Sequence, residues 1–166
     1  MTNVNQITDE ELNDMAYDIK ALSNKNENYL YELIGNSLYD VGLDIATSDN
    51  QQLVKPAMWD SAGNIKISRA VRYVMKTEPL IKEKAKTKGK KFWKRFKISL
   101  QNTICNNPQI VDILSGNVDK LKQGLKTIIP IILSVLGLTL CPPALAIIAS
   151  AIALILKVGI NVYCKV

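Results

Sequence analysis

An all-α fold follows from three features of this chain. Apolar residues recur at helical spacing behind a capping signal near the start. Aromatics recur at i, i+1 and i+4 inside a basic run. A segment of 30 residues without a charge, Thr127 to Leu156, is interrupted by a pair of prolines. The expected architecture is an amphipathic helical N-terminal body plus a C-terminal hydrophobic helical hairpin. At 166 residues the chain can bury a real core. The expected divisions are an acidic-to-neutral helical region over 1–78, a basic aromatic amphipathic segment over 79–107, and the hydrophobic hairpin over 108–166.

The first helix is predicted over Asp9 to Ser23. Thr8 followed by Glu11 forms a capping box, and Leu12, Met15, Ile19 and Leu22 then share a face. A second helix is predicted from Asn26 to Ala46, with Leu30, Leu33, Ile34, Leu38, Val41 and Ile45 on one side; Gly35 and Gly42 weaken it. Residues 47–64 read as a loop with a turn at Asp60–Gly63, in which Trp59 serves as a buried anchor. Over 65–77, Ile67, Val71, Val74 and Met75 fit a helix, although a short strand suits the same residues. Pro79 then marks a break.

Charge is segregated along the chain. Residues 1–50 carry ten acids and two lysines, a net of −8, whereas residues 51–107 carry fourteen basic side chains against three acids, a net of +11. Two such segments attract each other, so docking of the acidic helices on the basic one is expected to shield it until displaced. The acidic surface could equally dock a protein partner.

Cysteine and histidine counts remove options. With no His, nucleophilic catalysis by Ser–His–Asp or Cys–His and histidine-ligated zinc are excluded. Neither a Gly-rich phosphate loop nor a carboxylate pair in a shared acid–base context is present, so no catalytic residue, metal or cofactor is assigned. Cys105, Cys141 and Cys164 are too few and too scattered for a disulfide framework, which favours reduced thiols and synthesis in the cytoplasm. The amino terminus is polar and acidic, unlike a cleavable signal.

The run from Lys82 to Lys97 holds nine basic residues and one acid in sixteen positions. A helix from about Lys90 groups Phe92, Trp93 and Phe96 with Leu100 and Ile104, flanked by Lys88, Lys90, Lys91, Lys94, Arg95 and Lys97. Such a helix suits an anionic lipid surface. The same residues could grip phosphates, with rings stacking on unpaired bases, or simply form a solvated face over a core helix.

After it, Asn107 caps a short helix over Pro108 to Leu114, ended by Gly116. The uncharged run is too long for one straight span, because 30 residues of helix measure about 45 Å against about 30 Å of hydrocarbon. Cys141 and Pro142 disfavour continuing a helix that begins near Thr127 and ends around Leu140, and Pro143 suits the first position of the next, which runs to Tyr163. Pro130 falls in the first turn of the first arm, or kinks a helix that began near Val118. On the second arm Ala146, Ala149, Ser150 and Ala153 form a stripe of small residues, and Lys157 can extend to the interface. An apolar hairpin wrapped by amphipathic helices resembles, in layout and not in sequence motif, the pore-forming domain of colicins.

The resulting expectation is a membrane-inserting, pore-forming or depolarising effector or toxin-like protein of microbial origin, serving in competition or anti-phage defence. It acts as a homo-oligomer on the cytoplasmic face of an anionic membrane. The lysines before the hairpin favour that orientation. The alternative is a soluble helical module that uses 82–97 to engage nucleic acid or an acidic protein.

Overall fold

Ile7 is buried immediately before the cap of the first helix. The computed structural model describes residues 7–46 and 80–165. Thr8 accepts a hydrogen bond from the Glu11 N–H at 3.2 Å, starting α1 over Asp9–Leu22 with three acids in its first turn, which favours the helix dipole. Asn26 accepts from the Tyr29 N–H at 2.8 Å and opens α2 over Glu27–Ala46. The expected loop at 47–64, the element at 65–77 and the break at Pro79 lie outside the described residues.

The remaining helices are α3 over Lys82–Cys105, α4 over Pro108–Ser115, α5 over Val118–Leu136, α6 over Pro142–Val158 and the single turn α7 over Ile160–Tyr163. All described regular structure is helical, so the fold is all-α. Asn107 caps α4, accepting from the Gln109 and Ile110 N–H groups with Pro108 at the first position, and Gly116 ends it, as expected. Asn117 caps α5 in the same way through the Lys120 N–H.

Several boundaries differ from the sequence reading, among them the far end of α6, expected at Tyr163 and found at Val158. Helix α3 begins at Lys82, not near Lys90; its first residues are good helix formers, and its N-cap is Ile81, whose side chain makes no capping bond and leaves no signal. Helix α5 begins at Val118 with Pro130 in its interior, exposed, where solvent can reach the carbonyl that the missing N–H leaves unbonded. It ends at Leu136, not around Leu140. Gly137 takes φ +68°, its N–H bonds the Ser134 carbonyl and the Leu138 N–H bonds Leu133, a Schellman ending that precedes the prolines. Consequently Pro142, not Pro143, takes the first position of α6, behind Cys141 as N-cap.

Two close approaches organise the packing. Helices α2 and α3 cross where Gly35 lies against the Ala85 backbone and Gly89 against the Tyr31 carbonyl, so that neither glycine has room for a Cβ. The acidic and basic segments therefore meet through small residues and main chain. Asn36, itself buried, adds a bond from the Leu80 N–H at 3.2 Å, which fixes the entry to α3. The second feature is the position of α6, whose main neighbours are α2 and then α1; α5 packs chiefly on α1, and the contact between α5 and α6 themselves is smaller. The two apolar arms are thus joined by the Gly137–Cys141 turn but covered largely by the amino-terminal helices. At the surface, Asp9 of α1 reaches Lys126 of α5 at 3.4 Å.

Candidate membrane surface and the enclosed helix

The enclosed element is α6. Its residues Ala144 to Ile155 are each at most 3% exposed, and the stripe Ala146, Ala149, Ser150 and Ala153 is buried along with the isoleucines opposite it. A helix that is apolar all round has no solvent face of its own and must be covered by protein or by lipid. The Ser150 hydroxyl donates to the Ala146 carbonyl at 2.8 Å, so its burial leaves no orphaned donor. Pro143 is buried, Cys141 is half-buried in the turn and Pro130 is exposed on α5; Lys157 is exposed near the far end of α6.

The outer surface is α3. Lys88, Lys90, Lys91, Lys94, Arg95 and Lys97 are all exposed, and no acid occurs between Glu83 and Asp112. The aromatic residues do not share that surface. Trp93 is 8% exposed and Phe92 and Phe96 are half-buried, because the Ala85–Gly89–Trp93–Leu100–Ile104 side of α3 is its core side. Phe92 and Phe96 pack with centroids 4.7 Å apart, and the Arg95 guanidinium lies 5.3 Å from the Phe96 ring. In this fold Trp93 turns into the core, Phe92 and Phe96 lie at its edge, and the cations stay exposed.

Aliphatic residues sit among the cations instead. Ile98 is 64% exposed and follows Lys91 by seven residues and Lys94 by four, hence on the cationic side of the helix. The spacing made this legible, although the aromatic run drew the reading elsewhere. Val158 and Val162 are 49% and 61% exposed at the end of α6 and in α7. They lie at the same end of the molecule, because the Tyr163 hydroxyl donates to the Lys97 carbonyl at 2.9 Å and the Gln101 side chain donates to the Tyr163 carbonyl at 2.6 Å. Trp93 stacks on Tyr163 with centroids 6.4 Å apart.

In comparisons with known proteins, no family model matches the chain, and neither does a curated protein or a solved structure.

The cysteines overturn one expectation. Cys105 at the end of α3 and Cys164 just after α7 form a disulfide, with Cα atoms 5.5 Å apart and a sequence separation of 59. The pairing arises because α7 folds back along α3, which spacing alone does not disclose. Cys141 lies outside it. Among the described residues no helix is long and apolar enough to cross a membrane, and no group of three or more His, Cys, Asp or Glu side chains is placed to hold a metal.

Proposed function

We propose that this chain is a membrane-inserting protein of the pore-forming or depolarising kind, a microbial effector that acts as an oligomer at an anionic bilayer. The observation that carries the reading is the enclosure of the uncharged stretch Ala144–Ile155 of α6, chiefly by α2 and α1, while the cations of α3 remain outside. Acyl chains can replace those amphipathic helices around α6, because its surface asks only for apolar contact. The six exposed cations between Lys88 and Lys97 on α3, each contributing about 1 kcal/mol near an anionic surface, draw the protein to the bilayer. Ile98, Val158 and Val162 then add apolar contact at the headgroup boundary, Lys157 and Lys165 reinforcing the attraction.

Vesicle flotation and dye release test this. The protein is expected to float with phosphatidylglycerol vesicles and release trapped dye, far less so with phosphatidylcholine alone. Lys91→Glu with Lys94→Glu and Ile98→Ser, all at exposed positions, should weaken both without changing helix content. A chain that stays with the aqueous fraction under every lipid composition would overturn the proposal.

A second reading, a soluble module that binds nucleic acid or an acidic protein through α3, draws on the absence of a span-length helix among the described residues. Salt-sensitive duplex binding by a solitary monomer, without vesicle binding, would favour it.

A further inference from the structure

Helix α6 has 17 residues, about 25 Å at 1.5 Å per residue, and so falls short of a hydrocarbon layer of about 30 Å. What shortens it is a single residue. Gly159 adopts φ +96°, ψ 133°, outside the helical region, and beyond it the chain resumes helical geometry at once as α7. A Cβ at Gly159 would meet nothing within 4 Å, so the glycine is required by its backbone angles and not by a neighbour.

The bend is held from outside the helix. The side-chain bonds of its far side run to α3: the Cys164–Cys105 disulfide, the Tyr163 hydroxyl on the Lys97 carbonyl, the Gln101 amide on the Tyr163 carbonyl, and the stack of Trp93 on Tyr163; α7 also packs on α4. Both cysteines are half-buried, within reach of an external thiol. Residues 142–163 carry one charge, Lys157. Were Gly159 to enter the helical region, these residues would form one helix of about 33 Å, with Lys157 near enough to its end to extend its ammonium to the interface.

We propose that the Cys105–Cys164 disulfide is a redox latch: its reduction frees α7 from α3 and lets α6 and α7 join as one helix long enough to cross a bilayer. The inference rests on the membrane reading above. The reductant is a dithiol. Its thiolate attacks one sulfur of the pair, forming a mixed disulfide and expelling the other cysteine as thiolate. The reductant's second thiol then resolves the mixed disulfide. Two electrons and two protons pass to the protein, leaving Cys105 and Cys164 as thiols and the reductant as a disulfide.

The test compares oxidised protein, dithiothreitol-reduced protein and the Cys105→Ser/Cys164→Ser variant on phosphatidylglycerol vesicles. Reduction, and the double variant without any reductant, should each raise the rate of dye release on the order of tenfold, as a one-decade shift in the bent–straight equilibrium would. Circular dichroism verifies that the variant keeps native helix content; if it does not, the oxidised and reduced forms of the unmodified chain still decide the question. Gly159→Ala, which disfavours the bent angles, should lower the reductant concentration required. Equal release from oxidised and reduced protein overturns the latch and leaves the membrane reading standing. Absence of vesicle binding in every form overturns both.

Discussion

Replacing Gly35 by alanine should damage this protein although it improves the helix. In an isolated helix the change is worth about 1 kcal/mol in favour of folding. In the fold, the added Cβ would lie inside contact distance of the Ala85 carbonyl oxygen, carbonyl carbon and Cα. These are main-chain atoms of α3 that cannot rotate away, so the two helices must separate. A gap of even 0.5–1 Å forfeits about a quarter to a half of each dispersion contact along the crossing, and overpacking of a rigid site costs about 1–3 kcal/mol or more. Since α2 also covers α6, the displacement reaches the centre of the fold. A net loss of about 2 kcal/mol or more is expected, which for a domain of this size lowers Tm by about 4–8 °C. Gly124→Ala is the comparison: the atoms nearest its Cβ belong to the side chain of Ile113 and not to main chain, so the clash is relieved by repacking one side chain and the loss should be smaller than for Gly35→Ala. Urea unfolding followed by far-UV circular dichroism ranks the two. A midpoint for Gly35→Ala at or above that of the parent, or below which Gly124→Ala falls further, would refute the crossing described here.

Other perturbations have separable signs. Burial, and then the nearby Glu27, raise the Tyr31 phenol above its ordinary pKa. The neutral phenol is favoured in the fold, so its contribution is full below about pH 10 and lost as pH rises beyond; the unfolding midpoint should fall through that window, and less steeply in Tyr31→Phe. Asn107→Ala removes the cap on two N–H groups of α4 and should cost about 1 kcal/mol in urea unfolding. Asp112→Asn, by contrast, breaks an exposed 2.8 Å pair with Lys120 and should change stability by less than about 1 kcal/mol. Reduction of Cys105–Cys164 opens a 59-residue separation to the unfolded chain's full freedom and should lower stability by about 4 kcal/mol, read from chemical denaturation with and without a dithiol.

Local chemistry made most of the helical plan legible. Thr8 with Glu11, Asn107 with Pro108, and Gly116 each act within a few residues, and each marks its boundary in the structure. The first apolar arm was misplaced because the two prolines outweighed Gly137, whose left-handed ending decides the matter four residues earlier. Gly35 looked like a weakness in α2 because its use depends on α3, 50 residues away in sequence at Ala85. The cationic residues of the candidate surface were identifiable from composition, but the side on which Trp93 falls was not. A basic amphipathic pattern fixes the angle between rings and charges and leaves open which of them meets the core. The disulfide was hidden for a related reason, since it depends on where α7 returns after the whole of α4 to α6 has been traversed.

The position of α6 in the chain has a consequence for biosynthesis. Its two chief covers, α1 and α2, leave the ribosome first, and about a hundred residues separate Ala46 from Pro142, roughly 5–20 s of translation. The most aggregation-prone segment therefore emerges to find its wrapping already made. A rearrangement of gene order that placed 142–163 ahead of α1 would keep every residue and lose that protection, leaving the nascent helix to chaperones or to the nearest bilayer.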